Sequence, residues 1–334
     1  MKISASVYAH AADEIDEIVH SLEQIGVDYF HIDCNNEPKV FDEIAEIKKV
    51  SKKPIDLHLI TKTPEQYFSL IETHKPDFVS LQFEELPKAF AFPRIEGVKW
   101  GLAIKTETPI SVFENFAGQC DFILIMATTP GKSGGQFDAK NFRKIRSFLR
   151  HFPNKSITVD GGVNAEVSFV LRSYGVQTAV VGSYLAKSDK QAVSLNQLKY
   201  ENTDSHFTVE DMMTSRAHLP IIKTEDCSLE NLLAKNEAYR LGYALIEDAN
   251  ENLVGISTNA DIRRGLLKNV QEIGALKVDD IINTSPKSIN LNTTIKDMLA
   301  SIKGSGNFVS YIPVVDDKKL IGSINLHFLI KGEL

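Results

Sequence analysis

Tyr29-Phe30-His31-Ile32-Asp33 is a short strand-like run that carries two metal-type ligands at its end. Two further runs in the first half of the chain are built alike: Asp56-Leu57-His58-Leu59-Ile60 and Thr158-Val159-Asp160-Gly161-Gly162. In a strand, side chains at i and i+2 point to the same side, so His31 and Asp33 face one way together. Two imidazoles and two carboxylates from three separate strands meet only if those strands form one parallel sheet, seen at its carboxyl edge. That edge is where barrel enzymes of the β/α type hold their chemistry.

Outward from these runs, the first ~190 residues alternate strand-like and helix-like segments, the pattern of βα units on a parallel sheet. Strands are expected near Ile3–Tyr8, Tyr29–Asp33, Ile55–Ile60, Phe78–Phe83, Trp100–Lys105, Phe122–Ala127, Ser156–Asp160 and Thr178–Val181. Between them, Glu14–Ile25 and Phe142–Phe152 space their apolar residues as helices do. Eight such strands with intervening helices predict an α/β fold of the (β/α)8 TIM-barrel type, in preference to an open doubly wound sheet.

The chain has 334 residues, enough for two domains, and 43% hydrophobic residues, enough for a core. A net charge of −7 gives no reason to expect nucleic acid or an anionic membrane as partner. Cys34, Cys120 and Cys227 are scattered and odd in number, as in a reducing cytosolic setting. The start has too short an apolar run for a signal peptide, and no run approaches the ~18 apolar residues of a spanning helix. A cytoplasmic protein is expected.

Residues 188–206 are polar and poor in large apolar side chains. A first domain is therefore expected over 1–190, a linker over 191–206 and a second domain over 207–334. The second domain repeats internally: Val209-Glu-Asp-Met-Met-Thr matches Val278-Asp-Asp-Ile-Ile-Asn about 70 residues later, and Val254-Gly255-Ile-Ser matches Ile321-Gly322-Ser-Ile. Its halves are read as 207–275 and 276–334, each with the order helix, strand, helix, strand, strand, helix.

His31, Asp33, His58 and Asp160 form a candidate ligand set for one divalent ion per chain, with Zn, Fe, Mn and Co all compatible. Asp56 shares the strand run and parity of His58 and is either a hydrogen-bonding partner for that imidazole or a solvated residue. A second constellation suits phosphate. Gly131, Lys132, Gly134 and Gly135 follow the sixth strand, Gly161, Gly162 and Val163 the seventh, and Gly182 and Ser183 the eighth. Glycine lets backbone N–H groups approach an anion closely, and loops after strands seven and eight commonly hold phosphate in this fold. A helix starting after Gly182 would add its dipole.

Lys2-Ile-Ser-Ala-Ser6, His31-Ile-Asp33, Asp56-Leu-His58-Leu, Met126-Ala-Thr-Thr-Pro-Gly131, Val159-Asp160-Gly-Gly and Val181-Gly182-Ser183, in this order and spacing, resemble ribulose-phosphate 3-epimerase. The resemblance implies that the two histidines and two aspartates hold one divalent metal, with no organic cofactor. It implies that Asp33 and Asp160 are the acid–base pair, that Ser6, His58 and Met126 contribute to the substrate site, and that the glycine loops hold the substrate's phosphate. This chain departs from the family in three places. The loop that follows the second strand in the family is absent, and Cys34-Asn35-Asn36-Glu37-Pro38 runs almost directly into a helix. The third strand ends His58-Leu59-Ile60 where the family has His-Leu-Met. The loop after Pro130 carries one extra residue.

The second domain resembles a tandem pair of cystathionine-β-synthase-type (CBS) domains, in particular the pair attached to arabinose-5-phosphate isomerases. Gly255-Ile-Ser-Thr258-Asn-Ala-Asp261 fits the signature in which hydroxyl and carboxylate bind a nucleotide, whereas the second copy, Gly322 to His327, lacks both groups. The resemblances imply an epimerase acting at C3 of a ketose phosphate, most simply D-ribulose 5-phosphate to D-xylulose 5-phosphate. A nucleotide or sugar-nucleotide effector at Thr258 and Asp261, and a homo-oligomer, are expected with it. The alternatives are an epimerase of another ketose phosphate, such as D-allulose 6-phosphate, and a non-catalytic sensor of sugar phosphates.

Overall fold

The structure is a computed structural model that describes residues 1–10, 14–128, 134–201, 206–303 and 310–326. The chain divides into two compact units, with the division between 204 and 205. In the first unit the strands β1 (Lys2–Ser6), β2 (Tyr29–Cys34), β3 (Ile55–Leu59), β4 (Phe78–Gln82), β5 (Lys99–Lys105), β6 (Phe122–Met126), β7 (Ser156–Asp160) and β8 (Thr178–Val181) form a closed barrel. Every pair is parallel, and β8 closes on β1. The helices are α1 (Ile15–Ile25), α2 (Val40–Val50), α3 (Phe68–His74), α4 (Lys140–His151), α5 (Ala165–Ser173), α6 (Ser183–Ala186) and α7 (Gln191–Tyr200).

The helices form where an apolar stripe recurs at helical spacing. Helix α1 buries Ile18, Val19 and Leu22 and stops at Gly26, whose φ of 90° suits a left-handed cap. Helix α4 buries Phe142, Ile145 and Phe148. The first strand is shorter than expected: the chain leaves it at Ser6 for a 3-10 turn over Val7–Ala9, which takes Tyr8 out of the sheet.

Two crossovers lack the expected α-helix. Between β4 and β5, and between β5 and β6, the described chain makes only 3-10 turns, Phe83–Glu85 and Ile110–Asn115. Aromatic rings cover this side of the barrel instead. Phe92 lies edge-on to Phe90, Trp100 and Phe116, with ring centroids 5.2, 5.6 and 5.7 Å apart. Pro87 and Pro93 in the first crossover disfavour a continuous helix.

The linker expected over 191–206 is corrected in its first part. Residues Gln191–Tyr200 are α7, which buries Leu195 and Leu198. Its Leu198 carbonyl accepts from Ser168 Oγ of α5 at 2.5 Å, and Lys199 Nζ lies 2.7 Å from Asp28. Polar composition hides a narrow stripe of two leucines three residues apart, which is enough when tertiary neighbours supply the rest.

The second unit contains α8 (Val209–Met212), β9 (Thr214–Ser215), β10 (Ile221–Lys223), α9 (Leu229–Tyr239), β11 (Tyr243–Glu247), β12 (Leu253–Thr258), α10 (Asn259–Lys268), β13 (Ile289–Asn290), α11 (Ile295–Lys303), β14 (Tyr311–Asp316) and β15 (Lys319–Asn325). They form two sheets, in the orders β10-β11-β12 and β13-β14-β15-β9. The helix expected to end the second half falls beyond residue 326, outside the described residues.

The two halves are interlocked. The segment leading the first half, β9, pairs with β15 of the second half, Ser215 opposite Gly322 and Thr214 opposite Ser323. The corresponding segment of the second half returns the contact. Ile256 and Asn283 exchange both backbone hydrogen bonds, at 3.0 and 2.8 Å. Both crossings need glycine. A Cβ on Gly255 would stand 2.8 Å from Ile282 Cγ2, and one on Gly322 would stand 2.5 Å from Met213 Sδ and 2.7 Å from the Thr214 carbonyl.

Replacing Gly255 or Gly322 by Val should therefore destabilise the second unit by about 1–3 kcal/mol, the usual cost of overpacking. Denaturant unfolding of the full chain reads this as a lower midpoint for that unit. An unchanged midpoint in both variants contradicts the interlocked packing.

Candidate active site and metal centre

Parallel pairing sets the site. In the β2–β3 register His31 lies opposite Asp56, and Asp33 opposite His58. Ser6 is paired with His31 from β1, and Met126 with Asp160 from β6. Because His31 and Asp33 share a face, as do Asp56 and His58, the barrel turns all four inward at the carboxyl ends of the strands. Asp160, the last residue of β7, joins them.

Each of His31, Asp33, His58 and Asp160 offers one ligand atom, and these atoms all lie within 4.8 Å of one another. Asp33 Oδ1 is 3.5 Å from His31 Nε2 and 3.1 Å from His58 Nδ1, and Asp160 Oδ2 is 4.0 Å from His31 Nε2. Both imidazoles are fully buried. Asp56 is also buried, and its Oδ2 lies 2.9 Å from His31 Nδ1 and accepts from Ser4 Oγ at 2.9 Å. Asp56 is therefore not a solvated residue, and the imidazole it meets is that of His31 across the β2–β3 pair and not the expected one of His58. On the other side, His58 Nε2 lies 2.9 Å from Gln82 Oε1.

These outer contacts assign the protons. Asp56 accepts from Nδ1–H of His31, so the lone pair of the neutral ring falls on Nε2. At His58 a neutral ring has one proton for two acceptors, Gln82 Oε1 at Nε2 and Asp33 Oδ1 at Nδ1, and a proton on Nε2 leaves Nδ1 its lone pair. His31 Nε2 is buried and has no hydrogen-bond partner, which is costly for a polar atom unless something else meets it. Two imidazole nitrogens and two carboxylates converging on one point fit a borderline divalent cation.

The two aspartates are pushed apart. Burial works against ionised Asp33, but the neighbouring imidazoles of His31 and His58 outweigh it and hold its carboxyl well below the usual range. Burial dominates at Asp160 and raises it to about 6. At His31 burial opposes the charged form, yet the carboxylates of Asp56 and Asp33 carry it well above the ordinary imidazole value. One carboxyl that ionises readily thus stands beside one that gives up its proton only at higher pH, a separation that suits acid–base work.

A cavity of about 210 Å³ opens beside the cluster and is lined by Asp33 and Asp160. Of the residues expected to bind substrate, Ser6, Met126, Gly134, Gly135, Gly161, Gly162, Val163, Gly182 and Ser183 line it. His58 is not among its lining residues, and Gly131 and Lys132 lie outside the described residues. Gly161 and Gly162 have φ of 110° and 66°, and a Cβ on either would collide with the β6 loop, at Thr128 Oγ1 (2.3 Å) and Phe137 N (2.2 Å). These two glycines thus serve packing as well as any anion. Helix α6 is a single turn, so the expected helix dipole reduces to a few free N–H groups. Tyr8, Asn35 and Thr128 also line the cavity, and sequence reading did not find them. Nothing in their local pattern marks them; the turn after β1 and the short loop after β2 bring in the first two. Gln82 was missed as well, although it shares parity with inward-facing Ser80 and ends β4 as His58 nearly ends β3.

In the second unit, Thr258 is the N-cap of α10, and it and Asp261 form a capping box: Thr258 N donates to Asp261 Oδ2 at 2.9 Å and Asp261 N to Thr258 Oγ1 at 3.3 Å. The pair therefore has a structural role. It also borders a cavity of about 500 Å³ that Arg263, Arg264, Lys287 and Tyr311 line as well. Lys287 reaches it from the segment that crosses between halves, which local sequence could not reveal. Within the second copy, Asn325 is described, but His327 is not.

Among the described residues no helix is long and apolar enough to cross a membrane. The model of the ribulose-phosphate 3 epimerase family matches residues 2–186, and that of the CBS domain matches residues 278–327. Ribulose-phosphate 3-epimerase of Bacillus subtilis is 26% identical over 210 residues, covering 58% of this chain and 97% of that protein. The enzyme of Methanocaldococcus jannaschii is 26% identical over 212 residues, covering 60% and 90%. Among solved structures, the CBS-pair protein CBSX2 from Arabidopsis thaliana is 24% identical, covers 38% of this chain and 94% of its own, and has a TM-score of 0.32. With a closed eight-stranded barrel and a family match over more than half of its length, the chain belongs to the ribulose-phosphate 3-epimerase family, an isomerase-class enzyme whose barrel is followed by a CBS pair.

Proposed function

We propose that the protein epimerises C3 of a ketose phosphate, D-ribulose 5-phosphate to D-xylulose 5-phosphate, with one divalent ion held by His31, Asp33, His58 and Asp160. The observation that carries this reading is the partnerless, fully buried Nε2 of His31, aimed at a point that two carboxylates and a second imidazole nitrogen share. A bound ion would supply Lewis-acid stabilisation for the negative charge that builds on the substrate's C2 and C3 oxygens. Asp33, held ionised by the imidazoles, takes the C3 proton as general base. Asp160, which keeps its proton more readily, returns one to the opposite face of the same carbon as general acid. The carboxyls have then exchanged protonation states, and the reverse reaction uses them in the opposite roles. Asp56 and Gln82 keep the lone pairs of His31 and His58 on the ligand side. Ser6 lines the substrate cavity, Met126 helps to exclude water from it, and Gly161, Gly162, Gly182 and Ser183 offer backbone groups to the phosphate.

The cavity beside Thr258 and Asp261 supports a nucleotide or sugar-nucleotide effector. Arg263, Arg264 and Lys287 set three cations against one carboxylate there, which suits a phosphate-bearing ligand. Such an effector controls the barrel only if it binds active and inactive states with different affinity, a coupling of about 1–3 kcal/mol.

Three outcomes are expected. The purified protein should hold about one divalent ion per chain, and H58A should lose most of it; full occupancy after loss of both His31 and His58 removes the metal reading. D33N and D160N should each slow C3 proton exchange in deuterium oxide by roughly two to four orders of magnitude, the scale of a lost acid or base. That assay, run across a panel of ketose phosphates with metal content measured in parallel, also identifies the substrate. Adenine and cytidine nucleotides should shift thermal stability and epimerase rate, and R263A should weaken the shift; no response to any nucleotide leaves the second unit without its effector.

A further inference from the structure

The imidazole of His58 faces two competing acceptors. Asp33 Oδ1, 3.1 Å from Nδ1, favours a proton on Nδ1, whereas Gln82 Oε1, 2.9 Å from Nε2, favours one on Nε2. With the proton on Nδ1, the nitrogen facing the ligand cluster has no lone pair to give. The outcome turns on which end of the Gln82 amide faces His58, because the NH2 end would remove the acceptor at Nε2.

A third residue decides that orientation. Glu84 Oε2 accepts from Gln82 Nε2, so the amide oxygen is left for His58. The Ala103 carbonyl, 3.5 Å from the same Nε2, adds a longer contact in the same sense. Glu84 is itself fixed. Its Oε1 accepts from the Lys105 N–H at 2.9 Å and from Thr108 Oγ1. The carbonyls of Lys105 and Thr108 in turn receive the Lys144 ammonium of α4, at 2.5 and 2.6 Å. Burial opposes ionisation of Glu84, but its hydrogen bonds from Thr108, Lys105 and Gln82 hold the carboxyl below the usual range, so it remains an acceptor only.

We propose that Glu84 is a positioning residue: it fixes the Gln82 amide and, through it, keeps the His58 proton on Nε2 and the Nδ1 lone pair on the ligand cluster. The inference rests on the proposed metal site, but its first readout does not. In E84Q the residue at 84 can donate as well as accept, so the Gln82 amide is free to turn and Asp33 gains the advantage. Nitrogen-15 spectra of the metal-free protein, taken at a pH where they show a single ring proton on His58, should show that proton moving from Nε2 towards Nδ1. Zinc affinity, titrated by calorimetry, should fall by about 10–100-fold. The swapped variant Q82E/E84Q puts an obligatory acceptor at 82 and a donor at 84, and should restore both properties. E84A serves as a second probe of the loss and does not depend on folding of E84Q, and the unfolding midpoint of each variant is measured alongside. Wild-type His58 tautomer in E84Q and E84A, or failure of the swap to restore it, overturns the proposal. A shifted tautomer in a protein that takes up no zinc even as wild type would overturn the metal reading and leave the role of Glu84 intact.

Discussion

The one-to-one parallel register between β2 and β3 is the constraint on which the site depends. It sets His31 against Asp56 and Asp33 against His58, so each imidazole has a carboxylate beside it on the neighbouring strand. Side-chain direction in a strand has a period of two, and a slip of one residue would turn a whole ligand pair out of the barrel. Closure fixes the register from both directions, since β1 pairs with β2 and with β8 at once. The aliphatic residues between the ligands, Ile32 and Leu57, face the helices and are fully buried, so the same alternation that aims the ligands inward builds the outer core.

Within the barrel this register concentrates polar groups that an apolar core would not tolerate. The buried carboxylate of Asp56 is satisfied by Ser4 and His31, and Nε2 of His58 by Gln82, so the polar groups that touch the two imidazoles from outside the cluster are paired. The cluster itself is left incomplete at His31 Nε2. A partly satisfied buried network is unfavourable on its own, and its persistence here is what a cation-binding centre requires. The same imbalance separates the two aspartates: Asp33 lies against imidazoles and favours ionisation, while Asp160 is governed by burial.

The second unit solves a different problem. Each half lends its leading segment to the other half's sheet, so neither sheet is complete without the opposite repeat. Gly255 and Gly322 occupy matching positions in the two crossings, and this gives a shared steric reason for a glycine that repeats. Although the halves are related in construction, the first presents a threonine and a carboxylate, Thr258 and Asp261, to a cavity that also holds three basic side chains, whereas the second copy carries Asn325 in place of the threonine.

The sequence by itself determined the barrel, the repeat and the side chains gathered at the strand ends. Alternation along His31-Ile-Asp33 and Asp56-Leu-His58 exposes strand direction, and spacing of Ile18 with Leu22 or Phe142 with Ile145 exposes helices, because these are periodic and local. It could not determine what depends on partners distant in the chain. The two-leucine stripe of α7 became a helix only against α5, and the crossovers around β5 used rings in place of helices because Phe90, Phe92, Phe116 and Trp100 meet in space. Tyr8, Asn35, Gln82 and Lys287 carry no local signature, and reach their cavities or partners through turns, barrel closure and segment exchange. Only tertiary structure supplies the partners on which each histidine's tautomer depends, Asp56 for His31 and Gln82 for His58, because these come from neighbouring strands.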